Sequence, residues 1–265
     1  MIDFHNHILP SIDDGSKSLE TSLEMLGFAA NQGITEVVNT VHFQHPKVEN
    51  EDISIIRINK EIDKLQNELN KNNINIRLHS GAEVFYLPNL LKILDNPLTT
   101  FNNGKYMLIE FLPQNMPERY KNQLFDLKIA GVTPIIAHPE RYSIVQEYPS
   151  VVSSWLEAGY LIQVDAGSPL GKLGPKAKKA SINIIENKWC QLIGSDAHDN
   201  KKRNFCLKES INFINNLLNE NMSIWVNDNP RKVLNGEPIE VNINYPKDKK
   251  SNKCIASLKR FMGLN

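Results

Sequence analysis

Cysteine is scarce in this chain: Cys190, Cys206 and Cys254 are odd in number, far apart and never in a C-x-x-C pair. That excludes a disulfide framework and fits reduced thiols, so a cytoplasmic setting is expected. An excess of either charge is also missing, since 30 basic residues are matched by 30 acidic ones. A zero balance argues against a protein built to coat nucleic acid or an anionic membrane. No apolar run approaches the roughly 18 residues that span a bilayer. The opening residues carry no basic segment followed by an apolar stretch, so no secretory signal is expected. What is present is an ordinary apolar share over 265 residues, enough for one large α/β domain or two small ones.

Short runs rich in Val and Ile alternate with longer segments of helical period. Ser18 is a candidate N-cap, and Leu19, Leu23, Leu26 and Ala30 make a stripe that Gly33 ends. Strands are expected at Glu36–Thr40, Ile74–Leu78, Tyr106–Glu110, Thr133–Ala137, Tyr160–Val164 and Gln191–Gly194. Helical patterns cover Ile55–Asn72, Glu118–Ala130, Val151–Ala158, Ala177–Asn187 and Phe205–Asn219. Repeated β-α units predict a parallel sheet, because parallel neighbours need crossover connections. About seven such units without a linker predict a single closed or nearly closed barrel. We take residues 1–240 as that domain. Residues 241–265 read as a basic, solvated tail, with PKDKKSNK at Pro246–Lys253 and a short amphipathic piece at Ile255–Met262. The charged helix 55–72 and the tail are each candidates for assembly or docking.

The chain opens MIDFHNHILPSIDDG. In an extended segment residues i and i+2 share a face, so His5 and His7 can offer two imidazoles to one metal ion. Alone, H-x-H fits a half-buried strand equally well. The other strand ends decide. Five later runs deliver His42, Glu83, Glu110, His138, and Asp196 with His198 at or just past their C-terminal ends. In parallel barrels that rim is where catalytic groups gather. With one acid of the opening Asp13-Asp14 pair, five histidines and four carboxylates, with no cysteine among them, suit Zn, Mn or Fe. Nine donors exceed the needs of one ion, which implies two or three with a bridging carboxylate. Such ions clamp a substrate oxygen and lower the pKa of bound water, so no protein nucleophile is needed. Arg141 in AHPERY and Arg203 in DAHDNKKRNF fall in loops on the same rim, and their planar forks suit phosphate oxygens.

These stretches resemble the polymerase and histidinol phosphatase (PHP) superfamily. Within it they look most like the bacterial metal-dependent tyrosine-protein phosphatases of capsule and exopolysaccharide synthesis. The resemblance rests on DFHNHILPSIDDG, GAEVFY, LIEF, PIIAHPERY, IGSDAH and DNPRKVLNGE, and runs from Met1 to about Gly236. It implies a distorted (β/α)7 barrel and a hydrolase using two or three divalent ions, with Mn ahead of Fe or Zn. The implied ligands are His5, His7, Asp14, His42, Glu83, Glu110, His138, Asp196 and His198. Asp14, the second acid of D-D-G, is placed above Asp13; Glu83 would bridge, and Arg141 and Arg203 would hold the phosphate. The implied partner is the phosphotyrosine-bearing tail of a bacterial tyrosine kinase. Phe43 stands where relatives commonly carry a basic residue, which bears on substrate preference rather than metal binding.

Two other functions fit the same chemistry. One is hydrolysis of histidinol phosphate or another small phosphomonoester. The other is a non-catalytic metal-binding regulator, which the complete donor and arginine sets argue against. His79 is expected to be structural or to support the ligands from behind, Asp165 to support them from behind, His45 in FQHP to be a loop residue, and Tyr86 and Tyr142 to pack or line the pocket. Cys254 and Arg260 have the C-x5-R spacing of cysteine-dependent phosphatases. The five residues between them lack the glycine a phosphate-binding loop favours, so the spacing is read as coincidence.

Overall fold

The computed structural model describes residues 1–46, 48, 53–101 and 104–241. The basic tail, with the C-x5-R pair Cys254 and Arg260, lies outside them. Seven parallel strands follow one another in sheet order: β1 Ile2–Asn6, β2 Glu36–Phe43, β3 Arg77–Phe85, β4 Tyr106–Glu110, β5 Thr133–Ala137, β6 Leu161–Asp165 and β7 Leu192–Gly194. The sheet nearly closes on itself. The segment after β7 returns to β1 through an Asn6–Ala197 bridge, Asp196 N donating to His5 O at 2.7 Å and His7 N donating to Ala197 O at 2.8 Å.

Helices connect the strands: α1 Leu19–Asn31, α2 Ile55–Lys71, α3 Tyr120–Ile129, α4 Ser143–Glu147, α5 Ser150–Glu157, α6 Gly167–Leu170, α7 Pro175–Glu186, α8 Leu207–Leu218 and α9 Asp228–Asn235. Ser18 caps α1 as expected, its hydroxyl accepting from Thr21 N at 3.1 Å. The buried face of α1 is Ser22, Met25, Leu26 and Ala29; of the predicted stripe Leu26 is buried, Leu23 and Ala30 are half-buried against the core, and Leu19 is exposed. Small Ser22 and Ala29 let the helix approach the sheet, and Ser22 Oγ donates to Ile8 O.

Successive strand residues point to opposite faces, and the core divides accordingly. Ile2, Phe4, Val38, Leu108, Ile135, Leu161 and Leu192 form one buried cluster inside the barrel, closed below by Phe101 and by Val233 of α9. Their neighbours Val37, Ile109, Ile136, Ile162 and Ile193 belong to the cluster that packs against the helices. At about 25 cal/mol per Å² of apolar area buried, this double layer supplies the main driving force for the fold.

One strand departs from expectation. Ile74–Leu78 was predicted as β3, but the strand begins at Arg77 and continues through Ser80-Gly81 to Phe85. Gly81 is not a break: a Cβ there would come within 2.3 Å of the Phe101 ring, so glycine serves close packing inside the strand. Glu83 therefore sits in regular, hydrogen-bonded structure rather than on a turn, as does His42 in β2.

Candidate metal centre

At the C-terminal rim, every strand but β6 delivers a polar side chain, on it or just past its end, to one largely buried cluster. His5 comes from β1 and His7 from just past it. His42 is on β2, Glu83 on β3 and Glu110 on β4, while His138 follows β5 with a left-handed φ of 31°. Asp196 and His198 follow β7, Asp196 again with positive φ, at 46°. Asp14 arrives from the β1–α1 loop and is the one member whose side chain is largely open to solvent, at 53%.

All nine expected residues are brought together. They form four overlapping groups whose donor atoms lie within 4.8 Å of one another. The groups are His7, Asp14, His42 and His198; His5, His7 and Asp196; His5, Glu83 and His138; and His42, Glu83 and Glu110. Glu83 sits at the centre. Its Oε1 accepts from His138 Nε2 at 2.8 Å, while Oε2 is 3.2 Å from both His5 Nε2 and His42 Nδ1 and 3.5 Å from His7 Nε2. Asp14 Oδ1 lies 3.2 Å from His42 Nε2 and 3.3 Å from His198 Nε2.

The donor set fits divalent ions on two structural observations. First, His5 Nε2, His7 Nε2, Glu83 Oε2 and Glu110 Oε2 are buried without a hydrogen bond of acceptable geometry among the described residues. Orphaned buried polar atoms cost about 1–3 kcal/mol each, and here all aim at one another. Second, protonation within the cluster is uneven: against burial and the His7 charge, the Asp14 and Glu83 carboxylates raise the His42 imidazole to about 10. Burial, then the neighbouring Glu83 carboxylate, push the Glu110 carboxyl up to about 8. Burial, then the Arg141 charge, bring the His138 imidazole down to about 4.

Supporting groups fix the ligand tautomers. Gln163 Oε1 on β6 accepts from His5 Nδ1 at 2.9 Å, and Asp13 Oδ2 accepts from His7 Nδ1 at 2.8 Å. Both leave Nε2 facing the cluster. Asp3 Oδ2 accepts from Ser195 N and Oγ, and its Oδ1 accepts from His5 N and Asn6 Nδ2, which ties β1 to the β7 end. Sequence reasoning did not single out Gln163 or Asp3. Asp13 was passed over for Asp14, although its place beside the D-D-G acid was a usable signal.

Arg141 Nη1 and Arg203 Nη2 both donate to Asp196 Oδ2, at 2.7 and 2.6 Å. They wall a pocket of about 220 Å³ together with the cluster, Phe85, Phe111, Leu112 and Pro113. The remaining candidates divide. His79 Nε2 pairs with Glu36 Oε2 at 2.9 Å at the start of β2 and β3, away from the pocket. Asp165 accepts from Gly167 N at 2.6 Å and stands in none of the four groups. Tyr142 is buried packing whose hydroxyl donates to Ala137 O and accepts from Phe111 N. Phe43 packs into the hydrophobic core and does not line the pocket; His45 does, with Nε2 at 3.6 Å from Glu110 Oε2 and its ring 4.6 Å from that of His42.

The model of the capsular polysaccharide synthesis family CpsB/CapC matches residues 1–235. The chain belongs to the CpsB/CapC family. It is 35% identical to the putative tyrosine-protein phosphatase CapC of Staphylococcus aureus over 214 residues, 80% of this chain and 82% of that one. It is 33% identical to the tyrosine-protein phosphatase YwqE of Bacillus subtilis over 241 residues, 90% and 93% of the two chains. Among solved structures, one from a study of YwqE and of Streptococcus pneumoniae CpsB, described as unique metal-dependent tyrosine phosphatases, superposes with a TM-score of 0.87. That match has 29% identity over 94% of this chain and 100% of that one. A histidinol phosphate phosphatase from Lactococcus lactis shares the fold at a TM-score of 0.51 and 15% identity, covering 82% and 92% of the two chains. This chain's seven-stranded barrel thus has the same fold as that phosphatase.

Proposed function

We propose that the chain hydrolyses phosphotyrosine on a protein, with His5, His7, Asp14, His42, Glu83, Glu110, His138, Asp196 and His198 holding two or three divalent ions. Manganese is the first choice, iron or zinc the next. The chain is a metal-dependent tyrosine-protein phosphatase of capsular polysaccharide synthesis. The observation that carries the site assignment is the sharing of donors between groups. Glu83 belongs to two of the four: its Oε2 stands 3.2 Å from His5 of one and from His42 of the other, and its Oε1 2.8 Å from His138, so one carboxylate can serve both groups.

Ions held there would supply Lewis acidity and a water acidic enough to ionise near neutral pH. The protein does the rest. Asp13 and Gln163 hold a proton on the far nitrogen of His7 and His5, so the near nitrogen keeps its lone pair for the cluster. Arg141 and Arg203, already aimed at one Asp196 oxygen, take the equatorial oxygens of a phosphoryl group and the charge that grows on them. Phe85, Phe111, Leu112 and Pro113 give the pocket an apolar wall suited to an aryl ring. Tyrosine's oxygen, with a pKa near 10, leaves more readily than an alkyl alcohol and needs less protonation. The proposed partner is the phosphotyrosine-bearing tail of a bacterial tyrosine kinase. Among the described residues no helix is long and apolar enough to cross a membrane.

The test sets a tyrosine-phosphorylated peptide beside histidinol phosphate, with a chelator and with Mn²⁺ restored. Peptide turnover should vanish on chelation and return with Mn²⁺. Arg141→Met and Arg203→Met should each lower kcat/KM about 100-fold with metal content by mass spectrometry unchanged. Turnover that survives chelation overturns the mechanism, and preference for histidinol phosphate overturns the substrate.

A further inference from the structure

A second cleft opens on the same rim. It encloses about 560 Å³ and is lined mainly by apolar side chains, among them Phe85, Tyr86, Leu87, Phe111, Leu112 and Pro117. Phe85, Phe111 and Leu112 also wall the metal pocket, so the two cavities are neighbours across a shared partition. Leu87 and Leu112 are each 38% exposed, an unusual place for two leucines beside a polar site. Tyr86 is 4% exposed, and its hydroxyl is shut from solvent with no hydrogen-bond partner among the described residues.

We propose that this cleft is a specificity subsite that takes an apolar side chain of the protein substrate, two residues from the phosphotyrosine. The inference rests on the phosphatase function proposed above. In an extended chain, side chains i and i+2 point the same way and stand about 7 Å apart. A phosphotyrosine that enters along the Phe85–Phe111 wall therefore delivers its second neighbour to the other side of that wall. There an aliphatic or aromatic group covers Leu87 and Leu112. A small phosphate ester reaches the metal pocket alone and gains nothing from the cleft.

The experiment uses the metal-loaded protein and phosphotyrosyl peptides carrying Leu, Phe, Ser or Asp at position −2 or +2, with free phosphotyrosine as reference. At one of the two positions Leu or Phe should raise kcat/KM about ten-fold over Ser, mainly through KM. Peptides bearing a non-hydrolysable phosphonate should show the same ranking in Kd. In Leu87→Glu the Leu-over-Ser ratio should fall to about one. Hydrolysis of phosphotyrosine with Leu, Phe and Ser within two-fold at both positions overturns the subsite, as does a Leu87→Glu protein that keeps the preference. Failure to hydrolyse phosphotyrosine at all overturns the underlying function instead.

Discussion

Replacing Asp13 by asparagine isolates the work of a carboxylate that stands in none of the four donor groups. Its side chain is buried, with Oδ2 accepting from His7 Nδ1 at 2.8 Å and from His42 N at 3.1 Å, and Oδ1 accepting from Gly15 N at 3.0 Å. Burial opposes its charge, yet the adjacent His7 brings the carboxyl down to about 2, so it is ionised at any working pH. Asparagine keeps the shape and loses an acceptor. If its amide nitrogen faces His7, Nδ1 must accept, and the ring proton moves to Nε2. That is the nitrogen 3.4–3.5 Å from Asp196 Oδ1 and Glu83 Oε2. A proton there occupies the lone pair that a metal needs. If the amide turns the other way, its NH₂ meets the Gly15 N–H and the loop shifts. Either way the cost is that of a lost orienting partner, about 10–100-fold in metal affinity, or roughly 1.4–2.7 kcal/mol. Chelator-competition titration with Mn²⁺ reads this directly. Stoichiometry should hold in Asp13→Asn but fall in Asp14→Asn, which removes a donor facing His42 and His198. An Asp13→Asn protein that folds and binds Mn²⁺ within two-fold of wild type would refute the reasoning.

Other outcomes follow from the same geometry. Gly194→Ala should destabilise the protein by about 1–3 kcal/mol in urea unfolding and displace His5, because its Cβ would lie 2.5 Å from His5 Cβ and 2.7 Å from His5 N. Chelation should lower Tm, since ions at 100 times their Kd contribute about 2.7 kcal/mol that the stripped protein lacks. Glu36→Gln should cost about 1 kcal/mol or less, for it breaks a partly exposed staple from β2 to Arg231 of α9 and to His79. Arg231, chiefly, holds the Glu36 carboxyl below its ordinary value. Its contribution is therefore present above about pH 4.5 and lost as pH falls through the lowered folded value, which urea titrations between pH 3 and 7 will show in wild type and not in Glu36→Gln.

Much of the barrel was legible because its signals are local. Runs of Val and Ile between helical periods placed five of the strands to within a few residues, and Ser18 announced the first helix. What failed was local as well, but ambiguous. Ser80-Gly81 reads as a turn in sequence, and only the Phe101 ring above it shows why glycine is needed inside a strand. The expected loss of a polar group at Phe43 depended on which way the end of β2 faces; Phe43 turns to the core and His45 takes the pocket edge. Gln163 and Asp3 had no local signal. A glutamine in LIQVD acquires meaning only when β6 is brought to the His5 ring, 158 residues away in the chain.

The opening H-x-H shows where sequence reasoning stops and register begins. Its spacing correctly put His5 and His7 together, but not on a known face. Ile2 and Phe4 belong to the interior cluster, so strict alternation would turn His5 outward, away from Glu83. The chain avoids this with one irregularity. Asp3 pairs with Val37 and Asn6 with Asn39, so three steps along β1 match two along β2. That extra residue is a bulge, which re-aims the side chains that follow it. Three other strands need none: Leu108 and Glu110 in β4, Leu161 and Gln163 in β6, and Val38 and His42 in β2 keep the interior parity from core to rim. The bulge in β1, together with the left-handed backbone of His138 after β5 and of Asp196 after β7, thus helps convert an apolar barrel floor into a histidine-bearing mouth. Asp3, bonded at once to His5 N, Asn6 Nδ2 and Ser195, is the side chain that holds it in place.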